Sequence, residues 1–204
     1  MNNKLLSFIK ELSFRNITPE RKGMLEQLSA YIRNKQIIGE PINLNFICTH
    51  NSRRSHLGQI WAQTAAHYYQ ISPVKCYSGG TDATALYPKI EETLSNSGFE
   101  INVDASKVNP KYTIGFAKDA DSIIAFSKVY DDPSNPTSNF AAVMTCNDAD
   151  ENCPFIPGAE KRFAITYEDP KAFDHSPEQD QKYLERSTQI AEEMFYVFSQ
   201  INNQ

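Results

Sequence analysis

Short strand-like segments alternating with helix-patterned ones predict an α/β sandwich with a parallel sheet. Residues 42–47 alternate and end apolar, and residues 55–70 follow with Leu57, Ile60, Trp61, Thr64, Ala65 and Tyr68 along one helical side. A second strand and helix succeed them over 74–78 and 86–97.

Residues 1–37 read as two helices. In the first, over 5–14, Leu5, Leu6, Phe8, Ile9 and Leu12 keep helical spacing while Lys10 and Glu11 interrupt the apolar run. That pattern is an amphipathic helix, since a signal peptide needs an unbroken apolar core followed by small residues. The second begins at Thr18-Pro19-Glu20-Arg21, a threonine N-cap with proline at the first helical position, and Leu25, Leu28, Tyr31 and Ile32 form its apolar face. Gly79-Gly80 is expected to close the strand over 74–78, and Gly98 to cap the helix over 86–97. Residues 112–116 and 122–130 flank Lys118-Asp119-Ala120-Asp121 and predict a hairpin, followed by an exposed loop over 132–137. Strands are expected at 140–145 and 163–167, and Ser176-Pro177 starts a final helix to about 199. One domain over 1–204 accommodates all of these, with 1–40 a helical amino-terminal extension and 108–138 an insertion.

A net charge of −5 without a lysine-rich block argues against nucleic acid or an anionic membrane as partner, so any oxyanion site must create its own positive potential. No apolar run approaches the roughly 20 residues of a membrane span, and a cytoplasmic location is expected. Four cysteines, Cys48, Cys76, Cys146 and Cys153, are too few for a secreted disulfide scaffold of this size. They read as catalytic, redox-active or buried; Cys76, on a strand, is expected in the core.

The chemistry concentrates in Cys48-Thr49-His50-Asn51-Ser52-Arg53-Arg54-Ser55, a loop between a strand and a helix. A thiol is a nucleophile only as thiolate, and both the helix N-terminus and the Arg54 guanidinium favour that form. The N–H groups of Thr49, His50, Asn51, Ser52 and Arg53, curled into a cup, suit a tetrahedral oxyanion. Arg54 offers two parallel donors that a lysine cannot. Ser55 is placed to donate to the sulfur, and Asn51 to brace the loop.

These eight residues resemble the phosphate loop of the low-molecular-weight protein tyrosine phosphatase family. The resemblance implies a flavodoxin-like three-layer sandwich with a mainly four-stranded parallel sheet, here with amino-terminal helices and an inserted hairpin. It also implies a general acid in a late Asp-Pro pair, which Asp169-Pro170 matches. The segment Cys146-Asn147-Asp148-Ala149-Asp150-Glu151-Asn152-Cys153-Pro154-Phe155-Ile156-Pro157 resembles the redox helix of thioredoxin-coupled arsenate reductases, which share that fold. In that pattern Cys48 attacks arsenate, Asp169 protonates the leaving water, Cys146 and then Cys153 take over the oxidation as disulfides, and thioredoxin is the electron donor. No tightly bound cofactor is implied. Zinc is a weaker reading of the second pair, because only His175 follows as a further ligand.

The pattern has departures. His50 and Arg53 stand where the reductases tend to have a small residue and often a cysteine. Asp169-Pro170 is followed by Lys171-Ala172-Phe173, without the paired tyrosines of animal-type phosphatases. The alternative is a phosphatase acting on phosphotyrosine or small phosphomonoesters through a cysteinyl-phosphate. An idle oxyanion-binding or redox-sensing module is the third reading.

Overall fold

The computed structural model describes residues 1–152 and 155–201. Helices α1 (Asn3–Glu11) and α2 (Pro19–Ile37) precede β1 (Ile42–Cys48), α3 (Arg54–Tyr68), β2 (Val74–Gly80) and α4 (Pro88–Ser97). Three strands follow, β3 (Glu100–Asp104), β4 (Lys111–Gly115) and β5 (Ile123–Ala125), and then β6 (Phe140–Met144), α5 (Asn147–Asn152), β7 (Ala159–Ala164) and α6 (Gln179–Ser199). The main sheet has the order β2-β1-β6-β7 and every pair in it is parallel, which is the expected flavodoxin-like arrangement.

Strand β1 lies inside that sheet, so Leu44, Phe46, Ile47 and Cys48 are buried, and so is Asn45, whose amide donates to the Tyr130 carbonyl at 3.1 Å. Helix α3 is covered on most sides, by the sheet and by α6, and Trp61 at its centre is fully buried. Phe8 stacks on Trp61 at 5.3 Å, Phe99 meets it edge-on at 4.9 Å, and its indole N–H donates to Ser187 Oγ at 3.0 Å. A buried indole needs such an acceptor.

The amino-terminal helices contribute core. Leu5 of α1 and Leu25, Leu28 and Ile32 of α2 are fully buried. Thr18 caps α2 by accepting from the Arg21 N–H, and Arg21 pairs with Glu193 of α6 at 2.7 Å. No helix among the described residues is long and apolar enough to cross a membrane.

Several expected boundaries move, each for a physical reason. Strand β2 does not stop at Ser78 but runs through Gly79 and Gly80, which pair with Ile47 and Cys48. The expected strand over 163–167 lies earlier, at Ala159–Ala164, whose exposed Glu160 and Lys161 give an edge strand little hydrophobic signal. Ile165 and Tyr167, the apolar residues behind that expectation, still bond to the main chain at Met144 and Thr145. The hairpin expected near 112–130 exists as β4 and β5 but belongs to a three-stranded antiparallel sheet ordered β3-β4-β5. Strand β3 is almost wholly exposed and carries no period to read. The first helix starts and ends a few residues early, at Asn3–Glu11, and the last begins at Gln179, after a turn in which Ser176 Oγ accepts the Glu178 N–H.

Candidate active site

The loop after β1 is held open by its own carbonyls. The Cys48, Thr49 and Ser52 carbonyls accept the N–H groups of Thr81, Asp82 and Tyr87, at 3.1, 2.8 and 3.0 Å. The His50 carbonyl accepts from Ser127 Oγ at 3.0 Å, the Asn51 carbonyl from His56 Nε2 at 2.9 Å, and the Arg53 carbonyl from the Leu57 N–H at 3.1 Å. Six consecutive carbonyls are thus tied to surrounding structure. Because each peptide is planar and trans, the N–H groups of Thr49 to Arg54 point the opposite way. Among the described residues, no acceptor takes the N–H groups of Thr49, His50, Asn51, Ser52 or Arg53. A concave row of free donors at a helix start is an anion cup.

Cys48 sits at its base, buried, with Sγ 3.1 Å from Ser55 Oγ. The direction of that contact follows from Asn51. Its Oδ1 accepts the Lys128 N–H at 2.9 Å, so its Nδ2 is the end that donates to Ser55 Oγ, at 2.8 Å. The Ser55 hydroxyl, already accepting, has its proton left for the sulfur. His56 is wholly buried, and burial first, then nearby Lys128, pushes it down to about 3. It is a neutral ring, with Nε2–H donating to the Asn51 carbonyl and Nδ1 accepting from Ser78 Oγ at 3.2 Å.

Arg54 donates through Nη2 to Asp169 Oδ2 at 2.6 Å and through Nη1 to the Tyr167 carbonyl at 2.8 Å. Asp169 caps a short 3₁₀ turn, accepting the Lys171 N–H at 3.0 Å. The two residues expected to be guanidinium lid and acid are therefore in direct contact. Arg53 is turned aside: its Nε donates to the Tyr183 hydroxyl at 2.6 Å, it pairs with Asp174 at 2.5 Å, and its guanidinium lies 4.1 Å from the Tyr87 ring centre. Its side chain neither reaches the cup nor faces open solvent, but packs on a wall of α6 and the turn before it, while the Arg53 N–H stays on the cup. His50 is exposed.

Cys146 lies just past β6 and directly before α5, buried, with Sγ 3.4 Å from Thr49 Oγ1. Its sulfur accepts the Ala149 N–H at 3.4 Å, in the manner of an N-cap for α5. Thr49 also donates to Asp148 of that helix at 2.7 Å. Cys48, Cys76 and Cys146 are free and buried, and burial pushes the Cys76 thiol well up, as befits an inert core residue. Cys153 lies outside the described residues. The supports missed from the sequence are His56, five positions from Asn51, its partner Ser78, and Ser127 and Lys128, which meet the loop from 77 positions away; only Asn51 was legible as a brace.

No family model matches the chain. Arsenate reductase 2 of Staphylococcus haemolyticus is 27% identical over 126 residues, spanning 61% of this chain and 76% of that protein. An arsenate reductase of Staphylococcus aureus is 28% identical over the same length. Among solved structures, a low-molecular-weight phosphotyrosine phosphatase of Vibrio cholerae is similar with a TM-score of 0.53 at 11% identity, over 78% of this chain and 95% of that one. An arginine phosphatase of Geobacillus stearothermophilus gives 0.51 at 14% identity over 79% and 93% of the two chains. An arsenate reductase in its phosphate-binding state gives 0.50 at 14% over 79% and 99%. The structural likenesses establish the fold. The chain is an enzyme with the fold of the low-molecular-weight phosphatases. In sequence it is similar to arsenate reductases.

Proposed function

We propose that the protein reduces arsenate to arsenite by a three-cysteine relay with thioredoxin as electron donor. The observation that carries this reading is the second buried thiol, Cys146, beside the residue that follows Cys48. Hydrolysis of a phosphoester has no use for it.

Arsenate enters the cup as a tetrahedral oxyanion and takes Arg54 as a bidentate partner, which frees the Asp169 carboxyl from its present contact. The Cys48 thiolate attacks arsenic. One arsenate oxygen leaves as water with a proton from Asp169, the kind of transfer typically worth 10²–10⁴-fold. The Cys146 thiolate then attacks the Cys48 sulfur, and the electron pair of the sulfur–arsenic bond departs with arsenic. Arsenic falls from the +5 to the +3 state as two sulfurs are oxidised to a disulfide, so the electrons balance. Cys153 attacks Cys146 and regenerates the Cys48 thiolate, and a thioredoxin dithiol reduces the resulting bond by the same exchange chemistry. The six residues of α5 suit this handover, because so short a helix has little stability of its own and can unwind as its cap sulfur is withdrawn.

The phosphatase alternative uses the same cup, with Asp169 protonating an ester oxygen and water completing the cycle, and Cys146 as a bystander. Purified protein given arsenate, thioredoxin, thioredoxin reductase and NADPH is expected to yield arsenite with matched cofactor oxidation. Cys146→Ser should stop turnover. Undiminished aryl phosphate hydrolysis by Cys146→Ser, with no arsenite from the native chain, would favour the phosphatase.

A further inference from the structure

A cleft of about 760 Å³ lies between α3, the edge strand β2 and the β3-β4-β5 sheet, and it does not include Cys48, Arg54 or Asp169. Its size falls in the usual range for sites that enclose a small molecule. Three lysines, Lys75, Lys111 and Lys128, line it against a single acid, Asp121. In a chain of net charge −5 this is a local concentration of positive charge.

Lys128 is the informative residue. It is only 5% exposed, yet its ammonium group has no hydrogen bond or ion pair among the described residues. It lies 4.5 Å from the centre of the Phe126 ring, with Lys111 5.0 Å from the same ring. Burial lowers Lys128 to about 8, and Asp132 acts on it only from beyond ion-pair reach. A cation withdrawn from water without a counter-ion is costly, and two cations sharing one ring repel each other. That charge imbalance is relieved by a guest that brings negative charge to the lysines and a flat surface to Phe116 and Phe126, which line the same space.

We propose that this cleft binds a small aromatic oxyanion, its charged group held by Lys128 and Lys111 and its ring lodged against Phe116 and Phe126. The site is separate from the cup and does not depend on which reaction the cup performs.

The test is a titration of the full chain with 2-naphthoate, followed by calorimetry and by backbone amide shifts. The neutral 2-naphthalenemethanol and inorganic sulfate serve as controls. Expected are shifts at Lys111, Ile124 and Phe126, with binding at least ten times tighter than for either control. Lys128→Met and Lys111→Met should each weaken it about tenfold or more. Lys128→Met without ligand should melt about 2–4 °C higher than the native chain, because it removes an uncompensated charge. Shifts confined to residues 49–55, equal affinity in both lysine variants, or a Lys128→Met chain that melts lower would overturn the proposal.

Discussion

Asn51 is fully buried in the left-handed region, with φ of 43°, and both ends of its amide are engaged. Asparagine tolerates that conformation better than most residues, so the loop turns without a glycine. His56 holds the same residue's carbonyl and stays neutral, which makes it the point where acid enters the fold. Its folded value is about 3 and the unfolded imidazole titrates near 6.5, so between those limits only the unfolded chain binds the proton. The associated stability is complete above about pH 6.5 and falls as pH drops toward 3, by about 1.4 kcal/mol per unit from this group alone. Urea unfolding between pH 7.5 and 4.5 should show that slope, and His56→Gln should flatten it while keeping a donor to the carbonyl. An unchanged slope in the variant would remove His56 as its source. The proposed nucleophile, its arginine and its acid stood out in the sequence because their spacing along the chain resembles a known pattern. His56 was not, since its partner Ser78 lies 22 residues on and nothing local marks the pair.

At the scale of elements, the end of β2 does more than complete a sheet. A Cβ at Gly80 would stand 2.2 Å from the Asp82 carbonyl oxygen, 2.7 Å from that of Thr49 and 2.8 Å from the Asn51 nitrogen, all main-chain atoms of the loop or its support. Gly80→Ala is therefore expected to cost about 1–3 kcal/mol and to weaken oxyanion binding together. Denaturant midpoints with phosphate titration would check this; an unaltered midpoint would mean the backbone yields freely. The glycine pair read as a strand end in the sequence because nothing there reveals how closely the loop returns. Helix α5 was legible for the opposite reason, its cysteine spacing and acidic turn lying within a dozen residues. Strand β7 was displaced in the reading because apolar Ile165 and Tyr167 lie beyond it, carrying the chain past Thr145 toward Asp169.

Over the whole molecule, the amino-terminal helices reach the segment that carries Asp169. Arg21 of α2 donates to the Thr166 carbonyl at 3.1 Å and lies 4.9 Å from the Tyr167 ring centre, two residues before Asp169. Its other partner, Glu193, belongs to α6, so the extension, the last helix and the acid-bearing segment are tied at one place. The parallel sheet and its flanking helices were readable from alternating periods, which depend on burial. What the periods could not convey was the second sheet, where β3 is solvated on both faces, or the contact of α2 with a segment 145 residues away. These parts come together around a cup with two thiols, and the transfer between them is the step on which the proposed chemistry turns. Mass spectrometry of Cys153→Ser after a single exposure to arsenate tests it most directly. Expected is one Cys48–Cys146 disulfide per arsenite released; arsenite without that linkage, or a native chain that yields neither, would contradict the relay.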